Sequence, residues 1–385
     1  MPENDLSRRP NVLVTGGSGF LGRALLEELL DPNSPLQPDA IRSLDLSIPV
    51  DSVHPRITYR TGDIRDYETV LNACQGMDIV IHAAAIVDWG SKSEKEVYSV
   101  NVTGTENVIR ACREQGVSCL VYTSSLDAVF AGKPLVNIDE SQPYPSTHPN
   151  MYCRSKYLAE DLVRAGSKPA HVSSPVRAGS KPAPLSYPGG AGLEPAPTAN
   201  CQLRTVIIRP SDIWGPGDPF HVGSLINMAK GGFYVRLGNG TSKCQHTYVN
   251  NVAYAHLLAA KALWENKPGI SGNTYFITDG PGTNFFTFFD RVVEGAGYRI
   301  WPKNLWLPRW LAMAIGASNE TMALVIRPFY YYTPKFSRFA VIYTCSDFTF
   351  TSEKAIRELG YRPKYNEKEA MEKTITSFKR AGKTG

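Results

Sequence analysis

The chain lacks several features that would settle its class at once. Its 385 residues hold seven cysteines, an odd number at wide spacing, with no C-x-x-C among them. Neither a disulfide framework nor a zinc site is expected, and no metal is assigned. Charge of one sign is thin: 41 Lys and Arg against 36 Asp and Glu leave a net +5. No window carries a basic block of the kind that holds nucleic acid, so no nucleic-acid partner is expected. The opening MPENDLSRRP has no apolar stretch of the signal-peptide kind. The N-x-T sequons at Asn101, Asn239 and Asn319 are therefore read as chance, and a reducing compartment is expected. What is present is a composition of 42% hydrophobic and 20% charged residues. That describes a chain with a real core and excludes global disorder.

Short β-branched and apolar runs recur at Asn11–Thr15, Ile41–Leu46, Ile57–Thr61, Ile79–Ala83, Leu120–Ser124 and Thr205–Arg209. Helical stretches lie between most of them, including Phe20–Leu30, Tyr98–Gln115 and Met151–Ala165. This alternation predicts an α/β fold, a doubly wound parallel sheet of Rossmann type with a smaller C-terminal substrate lobe. Residues 10–210 read as a dinucleotide-binding domain, and 211–378 mainly as the substrate lobe and C-terminal segment. An insertion at about 166–200, rich in Gly, Pro, Ser and Ala, interrupts the first. It repeats the octapeptide VRAGSKPA, as Val163–Ala170 and Val176–Ala183. The expectation there is a disordered surface insertion without chemistry.

The sequence Thr15-Gly16-Gly17-Ser18-Gly19-Phe20-Leu21-Gly22 stands between a strand and a helix. Gly16 permits the tight turn, Gly19 lets a pyrophosphate approach the backbone, and Gly22 lets the helix pack close to the sheet. The helix start, Phe20 and Leu21, belongs to the same site, where free N–H groups meet phosphates. The next strand ends at Asp45, a carboxylate able to accept hydrogen bonds from ribose hydroxyls and to repel a 2′-phosphate. No Arg or Lys follows in Leu46–Val50, so NAD is favoured over NADP. Its distance from the glycine turn exceeds the usual ~20 residues, because Asp31–Ala40 is a long, proline-bearing connector. Asp63 and Ile64 after the third strand are placed at the adenine edge. Ala83 and Ala84 after the fourth are small enough for the cofactor to lie flat. Tyr152-Cys153-Arg154-Ser155-Lys156 puts a phenol and an ammonium on one helix face. The ammonium, with the nicotinamide's positive charge, is expected to lower the phenol pKa towards what a general base needs. Ser124-Ser125 follows the fifth strand and can hydrogen-bond a substrate oxygen.

TGGSGFLG, GDIRD, HAAA, NVTGT, YTSS, YCRSK and RPSDIWGPGD occur in the order seen in the extended short-chain dehydrogenase/reductase superfamily, which the chain resembles. TYVNNVAYAHLLAA, YFITDG and KAIRELGYRP look more narrowly like the 3β-hydroxysteroid dehydrogenase branch, near the sterol-4α-carboxylate 3-dehydrogenases and the 42E family. The resemblance implies NAD as cofactor and Tyr152 as proton acceptor. It implies Lys156 as the residue that binds the nicotinamide ribose and tunes the phenol. Ser125 would orient the substrate, with Ser124 as alternative. Asn101 would support the cofactor side, and Pro210 and Ile213 would border the carboxamide. The implied activity is oxidation of a steroid or sterol 3β-hydroxyl. The alternatives are a nucleotide-sugar epimerase or dehydratase and a non-catalytic NAD-binding scaffold. Sugar-nucleotide enzymes of the superfamily usually carry an Arg before Y-V-x-D-V; here Lys243 to Val252 has none, and Lys243 is the nearest substitute.

Between Trp301 and Tyr332 aromatics flank the apolar run Leu311–Ile326, which Asn319 and Glu320 interrupt. The run falls short of the ~18 residues of a spanning candidate. It suits an interfacial helix, or a lid over the substrate pocket. The expected partners are a steroid or sterol substrate, a peripheral membrane surface and a second copy in a homodimer. The expected location is the cytosolic side of the endoplasmic reticulum membrane, with the cytoplasm as alternative.

Overall fold

The computed structural model describes residues 8–48, 53–88, 92–167, 202–326 and 336–381. The repeated insertion from residue 168 on and residues 327–335 of the aromatic segment lie outside them. In chain order the first half holds β1 (Val12–Thr15), α1 (Phe20–Leu30), β2 (Ile41–Asp45), β3 (Ile57–Thr61), α2 (Tyr67–Cys74), β4 (Ile79–His82), α3 (Glu94–Tyr98), α4 (Gly104–Glu114), β5 (Cys119–Thr123), β6 (Leu135–Ile138) and α5 (Met151–Gly166). The second holds β7 (Arg204–Pro210), β8 (Asp212–Trp214), α6 (His221–Lys230), β9 (Arg236–Leu237), β10 (His246–Tyr248), α7 (Val249–Trp264), β11 (Thr274–Ile277), α8 (Phe285–Gly295), β12 (Trp306–Leu307), α9 (Arg309–Ile326), α10 (Arg338–Thr344), β13 (Phe348–Phe350), α11 (Glu353–Leu359) and α12 (Glu367–Ala381).

Seven strands form one parallel sheet in the order β11-β7-β5-β4-β1-β2-β3. Both faces are covered, and the strand residues divide between them with period two. Val12, Val14, Ile79, Ile81, Cys119 and Val121 join the core on one face, which holds α1 and α7. Leu13, Val80, Leu120 and Tyr122 join the other, with α2, α4 and α5. The doubly wound sheet expected from the alternation is therefore the fold. Strand order reverses between β1 and β4, where the carboxyl ends of the strands open a crevice. Three further pairs, β8 with β10, β9 with β12 and β6 with β13, are short and parallel.

The helix expected over Tyr98–Gln115 is more varied. α3 runs into a π-helical turn, Ser99–Thr103, and only then into α4. The turn buries Asn101, which is 1% exposed. Its amide takes Ile86 N–H at 2.8 Å and donates to Ile86 O and Ser155 Oγ, both at 2.9 Å. Asn101 thus ties the cofactor side of the crevice to α5.

Candidate active site

A single cleft of about 680 Å³ runs along the carboxyl edge of the sheet. It brings together the catalytic and cofactor-binding residues expected from the sequence, while Asn101 supports it from outside the lining. Gly16, Gly19, Phe20, Leu21, Gly22, Asp45, Asp63 and Ile64, after β1, β2 and β3, line one end, Ala83 and Ala84 after β4 the middle, and Ser125, Tyr152, Lys156, Pro210 and Ile213 the other.

The glycine end is shaped by close approach. Gly16 has φ +77°, and a Cβ there would stand 2.7 Å from Ala84 N; one at Gly22 would fall 1.9 Å from Gly16 O. The N-cap of α1 is Gly19, with no side chain capping the first turn, so its N–H groups are open to an anion in the cleft. Asp45 accepts Ser18 N–H at 2.8 Å and Leu46 N–H at 2.7 Å, which holds the carboxylate beside the glycine turn. Arg65 also lines this end, but its guanidinium is committed to Asp63, with Nε at 2.9 Å and Nη2 at 2.5 Å from Oδ2. Cradle, open helix end and carboxylate fit a dinucleotide.

At the other end α5 starts at Asn150, whose side chain accepts Cys153 N–H at 2.9 Å. That cap sets the first turn, and with it Tyr152. Ser155 Oγ donates to Tyr152 O at 2.7 Å. Lys156, one turn on, is buried and donates from Nζ to Thr123 O at 3.0 Å. Burial brings its pKa down to about 8, against the pull of Glu160 and Asp127. The phenol of Tyr152 departs from expectation. Burial pushes its pKa well above the ordinary value, and the negative charge of Asp127 adds to this, while a hydrogen bond with Ser125 works the other way. Helical spacing does put the two side chains on one face, but the ammonium turns to the end of β5 and stands 6.0 Å from the phenol ring centre. The protein alone therefore does not depress the phenol.

The two serines separate by direction. Ser124 turns inward and donates to Glu160 Oε1 at 2.5 Å. Arg209 grips the same carboxylate through Nε at 2.8 Å and Nη2 at 2.6 Å. Burial pushes the Glu160 carboxyl up, yet Arg209 outweighs it and holds it below the usual value. Ser125 instead donates to Asp127 Oδ2 at 2.7 Å and meets the phenol. Thr123, whose carbonyl receives Lys156, is held by His256. The ring donates from Nδ1 to Val252 O at 2.8 Å and accepts from Thr123 Oγ1 at 2.8 Å. Burial lowers the His256 pKa to about 4, which keeps it neutral.

Asp127, His221 and Tyr343 at this end were not singled out from the sequence, and Asp212 fell within the Pro210–Ile213 stretch without a role of its own. Burial raises the Asp127 pKa to about 6. Asp212 is also raised by burial and accepts Tyr343 OH at 2.6 Å. Asp127 had a local signal, two residues beyond Ser125. The others reach the cleft from separate elements, which no local pattern reports.

The model of the 3-beta hydroxysteroid dehydrogenase/isomerase family matches residues 13–171 and 196–309. The gap between the two stretches contains the second copy of the repeat. The short-chain dehydrogenase/reductase family 42E member 1 of Danio rerio is 33% identical over 94% of this chain and 87% of its own. The decarboxylating sterol-4-alpha-carboxylate 3-dehydrogenase of Mus musculus is 30% identical over 97% and 92%. Among solved structures, the dTDP-glucose 4,6-dehydratase DesIV from Streptomyces venezuelae, with NAD and TYD bound, superposes with a TM-score of 0.69. It is 20% identical and covers 96% of this chain and 97% of that one.

Proposed function

The chain belongs to the 3-beta hydroxysteroid dehydrogenase/isomerase family, and from that premise we propose that it oxidises a 3β-hydroxyl group of a steroid or sterol with NAD as acceptor. The observation that carries this reading is the cleft itself. A glycine cradle with an open helix end lies at one extreme, and Ser125, Tyr152 and Lys156 lie together at the other. Bound NAD supplies the hydride acceptor and, when oxidised, a positive ring charge beside the phenol. Tyr152 accepts the hydroxyl proton. Ser125, its own hydrogen given to Asp127, offers lone pairs to orient that hydroxyl. Lys156 is fixed at the end of β5 by Thr123 O and holds charge below about pH 8. Leu126, Ile213 and Phe220 give the substrate end apolar walls.

Against a sugar-nucleotide substrate, Lys243 lies off the cleft, with its N–H bonded to Asp347. The test is NAD⁺ reduction across a panel of 3β-hydroxysteroids, 4-carboxysterols and UDP-sugars. Turnover confined to the UDP-sugars would overturn the reading. Contact with a lipid surface is part of the proposal. Trp301 and Trp310 are exposed, as are Met322 and Val325 of α9. Among the described residues no helix is long and apolar enough to cross a membrane.

A further inference from the structure

On the wall behind the substrate end, three metal-ligating side chains converge that the hydride chemistry does not use. β8 and β10 run parallel with His246 directly opposite Asp212. Side chains two residues apart in an extended segment share a face, which brings Cys244 to the same side. The backbone of Cys244 is fixed by paired hydrogen bonds with Thr283, N–H to O at 2.8 Å one way and 2.9 Å the other. One ligand atom from each of Asp212, Cys244 and His246 lies within 4.8 Å of the other two. Asp212 Oδ2 is 3.7 Å from His246 Nδ1, and Cys244 Sγ is 3.6 Å from His246 Nε2.

Burial makes this arrangement informative. All three residues are more than nine-tenths buried, and neither Asp212 Oδ2 nor His246 Nδ1 has a hydrogen-bond partner. A gap of 3.7 Å is too wide for a direct bond, and an unsatisfied buried polar atom is costly enough to be rare. A cation between the two satisfies both. The other oxygen of Asp212 is already oriented by Tyr343 OH, the outer contact that ligating carboxylates require. Phe288 stacks on the His246 ring at 4.4 Å, and Phe289 meets it at 4.8 Å, so the ring is held in place by apolar packing.

We propose that Asp212, Cys244 and His246 form a binding site for a divalent ion of the zinc class. Thiolate, imidazole and carboxylate together are a zinc donor set, whereas calcium and magnesium take oxygen alone. A single bound water completes the coordination. The ion clamps β8 to β10 and fixes Asp212, and through Asp212 the Tyr343 hydroxyl that lines the cleft. Its role is positional. No C-x-x-C or other contiguous motif marks this set in the sequence, and it exists only once two strands pair.

The full chain, stripped with chelator, is titrated with Co²⁺ and then Zn²⁺. One ion per chain is expected, with a sulfur-to-cobalt charge-transfer band that Zn²⁺ removes. X-ray absorption of the zinc form should show one sulfur in a first shell otherwise of nitrogen and oxygen. Cys244→Ser should abolish the band, and Cys345→Ser should leave it. His246→Ala should weaken Co²⁺ binding by more than the ~10–100-fold that loss of an outer-shell partner costs. A band that survives Cys244→Ser overturns the proposal. Should the variants fail to fold, the unaltered chain decides: a sulfur-free first shell, or no stoichiometric metal, overturns it equally.

Discussion

In the proposed reaction Tyr152 takes up a proton in a place where burial holds its own proton on. The phenol becomes useful only once positive charge arrives beside it, so binding and base strength are linked. Tyr152→Phe removes the acceptor and little volume. Turnover should fall by ~10²–10⁴-fold while NAD binding, read by fluorescence or calorimetry, stays close to that of the unaltered chain. Asp127 gives a pH signature. Its ionised carboxylate takes the hydrogen of Ser125, whereas the protonated form donates to Ser125 and turns the serine's polarity round. Cys153, Tyr152 and Lys156 of α5, Asp212 of β8 and Tyr343 of α10 face it. Oxidation should therefore decline below about pH 6, and Asp127→Asn should flatten that limb of the kcat/KM profile. The stability sign follows from the same shift. A carboxyl raised in the folded state binds its proton more tightly there, so stability is lost as pH rises from about 4 to about 6. Asp127→Asn should gain melting temperature over the unaltered chain at pH 7 and not at pH 4. At the dinucleotide end, NAD⁺ should be preferred over NADP⁺, and Asp45→Ala should narrow the gap by relieving repulsion of a 2′-phosphate; steady-state kinetics with both coenzymes measure it. Tyr152, Lys156 and the glycines were legible because their chemistry is written in local spacing. Asp212 and Tyr343 were not, since 131 positions separate them along the chain.

At the scale of elements, the β-branched runs marked the first six strands of the central sheet to within a residue or so. The inner strands β1, β4, β5 and β7 are buried on both faces and so are mainly apolar, while β2 and the edge strand β3 show as β-branched and apolar residues mixed with polar ones. The π turn at Ser99–Thr103 left no trace, because an added residue in one turn barely disturbs an apolar stripe. β8, β9, β10, β12 and β13 were missed for another reason: at two or three residues each, they are too short to show alternation. α9 bears on the proposed lipid contact. Ala312 is buried and Gly316 packs against the backbone of Arg338, whereas Trp310 is 72% and Val325 69% exposed. Trp306, grouped with the flanking aromatics in the sequence, pairs within β12 and packs against Phe286 at 6.0 Å. It is a packing residue. The informative variant is therefore Trp301→Glu with Trp310→Glu. At ~1.5–3 kcal/mol per fully buried ring, co-sedimentation with liposomes should drop by at least ~100-fold, with turnover of a soluble steroid analogue little changed. Protein that ignores liposomes before any substitution would remove the membrane from the proposal.

Over the whole molecule, the C-terminal segment reaches back to the first helix. Lys364 Nζ meets Glu28 at 2.7 Å and Asp31 at 2.5 Å. Tyr365 donates its hydroxyl to Glu28 and exchanges backbone bonds with the Asn251 amide. Glu28 is 2% exposed, so Lys364→Met strands a buried carboxylate. Thermal unfolding should show a loss below the ~3–5 kcal/mol of a fully buried pair, because Lys364 keeps some solvent and Tyr365 remains. Closures of this kind were invisible in the sequence, where Lys364 and Glu28 are two ordinary charges 336 positions apart. The same long reach governs how the sheet is completed. β11 is the last of the seven strands to leave the ribosome, and it pairs with β7 along Ile207 to Pro210. Until residue 277 has been made, β7 presents an apolar strand with an open edge. At about 5–20 residues per second, that exposure lasts for seconds. An edge left open for that long can pair with other chains, so the order in which the strands are made sets a window for misassembly that the finished sheet no longer shows.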